Sequence, residues 1–233
     1  MITCYFGVPG VGKTTFATKI AQSELKRIKR GKSKYSAVYT NFYCEGCYRI
    51  EFSDLKDNIV RDALIVFDEL TLDADNRCFK DFPLAIRDYL VLHRHVGVDI
   101  VYLTQNYSAI DLKIRHLTQE LWYMSRSVIP LLTEFTYAKR IYRQININEH
   151  TSELTLGYRF CNFLESLFVR NMKYCFRRQY YKYFDSYEEG KLAGRPVLRS
   201  DTWDSSVKPP KLGEALNELP ELVVDSDELG FIP

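Results

Sequence analysis

The chain has 233 residues, 46% hydrophobic and 27% charged, which suits one globular core rather than a fibrous or disordered protein. No window approaches 18 consecutive apolar residues, so no transmembrane helix is expected, and six scattered cysteines do not make a disulfide framework. The net charge of +2 is uneven: residues 1–200 hold 30 Lys and Arg against 22 Asp and Glu, and residues 201–233 hold 2 against 8. A basic body with an acidic tail points to a polyanion or an anionic surface as partner, although an ordinary solvated surface has the same composition.

Ile2–Phe6 is short, apolar and rich in β formers and reads as the first strand. With that strand at the start, no signal peptide is expected, and free thiols then suit the reducing cytoplasm. Gly7-Val8-Pro9-Gly10-Val11-Gly12-Lys13-Thr14 follows, in the pattern G-x-x-x-x-G-K-T of the phosphate-binding P-loop. From Thr14 to about Arg30, Phe16, Ala17, Ile20, Ala21, Leu25 and Ile28 recur at three- and four-residue spacing, which predicts a helix with one apolar face. Strand, glycine loop and helix together are the context that this motif requires. The glycines let backbone N–H groups turn toward phosphate oxygens, and the helix N-terminus adds positive partial charge. The spacing assigns Gly7, Pro9, Gly10, Val11, Gly12, Lys13, Thr14 and Thr15 to ATP binding. Lys13 faces the β- and γ-phosphates, and the Thr14 hydroxyl is a ligand for Mg²⁺.

The run Lys26–Lys34 is strongly basic, and Gly31 marks the helix end; a solvated, dipole-compatible face is the favoured reading over a nucleic-acid or lipid contact. Ser36–Thr40 reads as a second strand and Arg49–Phe52 as a short third one. Cys44-Glu45-Gly46-Cys47 is either half a zinc site or a turn with two buried thiols, and no second pair with suitable spacing is visible. Ala63–Phe67 is continuously apolar and ends in Asp68-Glu69, the composition of a buried parallel strand leading into a Walker B acid pair. Asp68 is then the second Mg²⁺ ligand, and Glu69 is placed to orient and activate a water.

Leu84–Arg94 reads as a helix ended by Gly97, and Val98–Gln105 as another buried strand with a polar end. Thr104 and Gln105 are candidates to contact the γ-phosphate or the attacking water. A short helix over Ser108–His116 and a strand over Leu121–Met124 complete the alternation of β and α. That order predicts an α/β P-loop NTPase fold, a mostly parallel central sheet sandwiched by helices. Its ligands bind beyond the carboxyl ends of the strands, where the P-loop, Asp68-Glu69 and Thr104-Gln105 converge. Further on, Tyr137–Ile147 and Thr155–Phe160 suit an antiparallel pair. Arg170–Tyr187 interleaves cations with aromatics, which fits packing on the domain edge or single-stranded nucleic acid, the former favoured. After about Gly190, prolines and acids predict an extended tail, so the domains read as 1–190 and 191–233.

Taken together, Gly7–Thr14, the Asp68-Glu69 strand end, His93-Arg94-His95 with Gly97, Asp99 and Ile100, Leu103-Thr104-Gln105, Ile110–Arg115 and Tyr180–Tyr187 resemble the zonular occludens toxin (Zot)-like family, which includes the filamentous-phage gene I assembly proteins. The resemblance covers about residues 1–190. It implies an ATPase near the FtsK–HerA branch of P-loop motors that drives export or assembly of single-stranded phage DNA. It also implies work at the inner face of the host membrane, in a homo-oligomeric ring, and docking to a membrane or phage-assembly protein. Family members typically continue into a transmembrane helix, which is not seen in this sequence. A ring motor needs a positive charge on the γ-phosphate from a neighbouring subunit, and Arg94 and Arg115 are the candidates for such a finger.

Two other classes compete. A GTPase needs N-K-x-D, which does not occur, and a small-molecule kinase has no need of a water-activating acid such as Glu69. A nucleotide-switched scaffold without turnover has the same motifs.

Overall fold

Ala63–Phe67 (β4) has every side chain buried, because helices cover the sheet on both sides of it. The computed structural model describes residues 1–70, 83–127, 133–147, 154–161 and 171–184. The acidic tail expected over 191–233 and Cys78 lie outside the described residues. The first strand, Ile2–Phe6 (β1), leads through the glycine loop into a helix over Lys13–Lys29 (α1). Ala37–Thr40 (β2) and Tyr48–Arg49 (β3) follow, then β4, a helix over Leu84–Leu92 (α2), Asp99–Thr104 (β5), a helix over Leu112–Leu117 (α3) and Glu120–Arg126 (β6). Phe135–Ile147 (β7), Leu154–Phe160 (β8) and Met172–Phe176 (β9) complete the described elements.

The strands lie in the order β3-β2-β4-β5-β1-β6-β7-β8, and β9 pairs with β7. Pairing is parallel from β3 through β6 and antiparallel beyond. The α/β class with a mostly parallel sheet is therefore as the alternation of elements predicts. β5 lies between β4 and β1, so the strand carrying Asp68 is separated from the P-loop strand by one further strand. Alternation along each strand sorts the core into two layers. Ile65, Phe67, Ile100 and Tyr102 face α2 and α3 through Ile86, Leu90 and Ile114. Leu64, Val66, Val101, Leu103 and Tyr5 face α1 through Phe16, Ala17 and Ala21.

Three local readings are refined. The third strand is only Tyr48–Arg49, and Phe52–Lys56 is a 3-10 turn rather than strand. The Glu51 N–H donates to Asp54 Oδ2 (2.8 Å), and this capping pair starts a turn that buries Phe52 and Leu55 together. The helix expected over Ser108–His116 is two pieces, a 3-10 turn over Tyr107–Ala109 and α3. Two capping side chains divide it: Asn106 Oδ1 accepts from the Ser108 N–H (2.9 Å) and Asp111 Oδ1 from the Lys113 N–H (2.7 Å). The aromatic and basic segment 171–184 is β9 followed by two 3-10 turns; it buries Cys175, Tyr180 and Phe184 while Tyr174, Phe176 and Tyr181 stay exposed.

At the amino end of the sheet, Asp99 accepts from the Lys34 ammonium (2.8 Å), the Tyr35 hydroxyl and the N-terminal ammonium. Burial pushes its carboxyl upward, but these partners outweigh burial and hold it at about 2. The folded value lies below the unfolded one, so this stabilisation is present above about pH 4 and lost as pH falls through about 2. Asp99→Asn is expected to lose about 1–2 kcal/mol at pH 7, discounted because Lys34 is solvent-exposed. Urea titrations should show that difference closing toward pH 2; a gap independent of pH would refute the linkage.

Candidate nucleotide site

The glycine loop leaves β1 after Phe6, and the Gly7 N–H donates to the Thr104 carbonyl (3.3 Å), tying it to the end of β5. Gly10 and Gly12 have φ of 78° and 89°, in the left-handed region that an L side chain rarely adopts. Gly12 also has no room for a side chain, since a Cβ there would lie 2.6 Å from Arg177 Cδ. The first turn of α1 carries no acid, so the positive end of its dipole is left for an anion. Lys13 is buried, and its ammonium lies inside the loop, donating to the carbonyls of Gly7 (3.1 Å) and Val8 (3.3 Å). Thr15 and Val11 are buried and Pro9 is exposed at the loop crest.

The Thr14 hydroxyl donates to Asp68 Oδ2, joining the P-loop to the end of β4 across the intervening β5. Burial, with the charge of Glu69, raises the Asp68 carboxyl above the usual range, against the Thr14 bond and the Lys13 charge. A hydroxyl and a half-buried carboxylate side by side are hard oxygen donors, and a divalent cation would stabilise the ionised carboxylate, so the pair fits Mg²⁺. Glu69 has φ of 51°, a left-handed conformation that is strained for a residue with a Cβ. That turn directs the chain out of β4 immediately after Asp68.

Thr104 is fully buried, and its hydroxyl is bonded locally, donating to the Asn106 carbonyl (3.2 Å) and accepting from the Asn106 N–H (3.3 Å). Gln105 is exposed at the carboxyl end of β5, on the same sheet edge as Asp68 and the loop. Arg94 is not brought to that edge, and Arg115 packs beside the loop that follows Gln105. Arg94 is exposed beyond the C-terminus of α2, at the amino end of β5. Arg115 donates from Nε to the Ile110 carbonyl (2.9 Å), and its guanidinium carbon lies 6.0 Å from the centre of the Tyr107 ring.

Three further residues hold the site. Asn41, just beyond β2, clamps the Asp68 backbone: its Nδ2 donates to the Asp68 carbonyl (2.8 Å) and its Oδ1 accepts from the Asp68 N–H (2.7 Å). A polar residue at the carboxyl end of a strand was the only sequence signal for it. Thr136 of β7 donates to the Val11 carbonyl (2.6 Å). Arg177 follows β9, is 9% exposed, lies against Gly12 and donates to the Thr133 carbonyl (3.0 Å). Neither residue had a local signal, because each reaches the loop across more than 120 residues of sequence. Cys44 and Cys47 are free thiols in a turn closed by the Cys47 N–H on the Cys44 carbonyl (3.0 Å). Among the described residues, no group of three His, Cys, Asp or Glu is placed to hold a metal.

The family profile described as zonular occludens toxin (Zot) matches residues 17–191. The chain belongs to the zonular occludens toxin family. The match begins at Ala17, inside α1, so the Zot assignment rests on the body beyond the glycine loop, and the loop stands on its own sequence. No curated protein matches this Zot-family chain significantly. Among solved structures, the N-terminal domain of zonular occludens toxin from Neisseria meningitidis is similar at 18% identity and TM-score 0.45, covering 70% of this chain and 95% of that one. The genome-packaging NTPase B204 from Sulfolobus turreted icosahedral virus 2, in complex with ATP-gammaS, is similar at 10% identity and TM-score 0.39, covering 66% and 95%.

Proposed function

We propose that this Zot-family chain is an ATP-hydrolysing motor that works on single-stranded DNA during phage export or assembly. The observation that carries the reading is the Thr14–Asp68 bond, which joins the P-loop to an acid-ended strand one strand away. Lys13 and the loop N–H groups bind the phosphates, and Thr14 with Asp68 holds Mg²⁺. When bound there, Mg²⁺ supplies charge neutralisation on the β- and γ-phosphate oxygens. Glu69 accepts a proton from the attacking water, and Gln105 orients that water from the neighbouring strand end. Asn41 keeps the Asp68-Glu69 backbone in place while this happens.

A homo-oligomeric ring is part of the proposal, with Arg94 or Arg115 supplied in trans. Arg94 stands at the amino end of β5, away from the chain's own phosphate loop, as a residue that serves a neighbour must. The motor acts in the cytoplasm at the inner face of the membrane, docked to a membrane or assembly protein. Among the described residues no helix is long and apolar enough to cross a membrane. Steady-state phosphate release with and without single-stranded DNA tests the reading. Turnover that rises with DNA, and more steeply than linearly with protein concentration, is expected. ATP binding without turnover under either condition would identify a nucleotide-switched scaffold instead.

A further inference from the structure

The sheet continues past β6 into β7, β8 and β9, and its layer facing the side of α2 and α3 changes character there. Ile141 of β7 still packs in that core layer, which fixes the face of its odd-numbered neighbours. β7 therefore presents Phe135, Tyr137, Lys139 and Arg143 on this side, and the register places aromatic rings beside them. Phe135 stands opposite Phe176, Tyr137 opposite Tyr174, Ile141 opposite Phe160 and Arg143 opposite Tyr158. On the other flank, Lys139 stands opposite Tyr123.

These rings are not core. Tyr158, Phe160, Tyr174 and Phe176 are 52%, 49%, 54% and 41% exposed. They are nevertheless fixed by their neighbours: Phe135 and Phe176 centroids lie 5.0 Å apart, Tyr123 and Phe160 5.8 Å. The Lys139 ammonium sits 5.7 Å from the Phe160 ring. Among the described positions on this face the charged residues are Lys139 and Arg143, and no carboxylate is present.

We propose that this face binds single-stranded nucleic acid, with bases stacked on the exposed rings and phosphates met by Lys139 and Arg143. Rings standing on adjacent strands about 4.8 Å apart offer several stacking surfaces in a row, and base stacking on aromatics is tolerant of sequence. A second copy of the same face would bring like charges together, which disfavours self-pairing. The face is also continuous with the loop after β5. Tyr158 contacts the Tyr107 ring (centroids 6.5 Å apart), and Arg143 donates to the Tyr107 hydroxyl (3.0 Å) and the Arg115 carbonyl (2.6 Å). Tyr107 lies two residues beyond Gln105, so a strand on this face touches the segment that carries the water-orienting residue. The inference rests on the motor reading for the role of the bound strand, but binding to the face requires no hydrolysis.

The test is fluorescence anisotropy of a labelled dT oligonucleotide of about 20 nucleotides with the full chain. Wild type is expected to bind, and the double variant Phe160→Ser, Tyr174→Ser to bind about tenfold or more weakly. Phe160→Tyr with Tyr174→Phe should keep affinity, because both retain a π face. Lys139→Gln should reduce the slope of log affinity against log salt by about one. Binding of a fluorescent ATP analogue, unchanged in these variants, shows that they fold. Equal oligonucleotide affinity in the serine variant overturns the proposal. So does wild type that binds anionic phosphatidylglycerol vesicles or itself through this face and ignores the oligonucleotide. Loss of ATP binding in wild type would remove the motor reading and leave the oligonucleotide result to stand alone.

Discussion

Glu69→Gln is expected to bind ATP as wild type does and to hydrolyse it about 10²–10⁴-fold more slowly. The exchange keeps the side chain's shape and removes the carboxylate that we propose takes the proton of the attacking water. Glu69 sits at φ 51°, immediately after Asp68, and glutamine tolerates that left-handed backbone no worse than glutamate. Folding and the proposed Mg²⁺ contact of Asp68 are therefore expected to be preserved, and the loss to fall on turnover. Single-turnover phosphate release together with equilibrium ATP binding separates the two. Near-normal turnover would move the role of the base away from Glu69, with Gln105 at the neighbouring strand end the next residue to examine.

Lys13→Ala is expected to abolish ATP binding at concentrations that saturate wild type. Lys13 is the side-chain cation at the centre of the loop, held by the Gly7 and Val8 carbonyls with little exposure to water. Charge-assisted bonds to phosphate are about twice as strong as neutral ones, and the site's low dielectric enhances them. The variant should stay folded, because those two carbonyls face the loop interior and water can replace the ammonium there. Titration calorimetry with ATP and Mg²⁺ checks the outcome. Tight binding by the variant would sink the assignment of Gly7–Thr14 as a phosphate loop.

Features carried by neighbouring residues are legible in the chain alone. The P-loop reads as a motif because its glycines, lysine and threonine are neighbours; the flanking strand declares itself as a short run of apolar β formers and the helix by period 3.6. β4 and β5 were legible because a strand buried on both faces must be apolar throughout, and their acidic and polar ends marked the edge where the glycine loop and Asp68 meet. Local reading failed first at boundaries that capping decides. Glu51 with Asp54 made a turn out of expected strand, and Asn106 and Asp111 divided one expected helix in two.

Which distant residues meet depends on long-range strand pairing. Strand order is set by pairing across the whole chain, so nothing near Gly7 or Asp68 announces that β5 lies between them. The same holds for Asn41 on the Asp68 backbone, and for Thr136 and Arg177 against the glycine loop. Arg94 and Arg115 looked alike as arginines near helix ends, but the direction of α2 puts Arg94 at the amino end of the sheet, and a bond to Ile110 occupies Arg115 Nε. The aromatic segment around Tyr174 split in the same way. Pairing of β9 with the first half of β7 buries Cys175 on one side and leaves Tyr174 and Phe176 exposed on the other. Side chains alternate along a strand, but which side meets the core is fixed by the partner strand, and that partner lies more than thirty residues away.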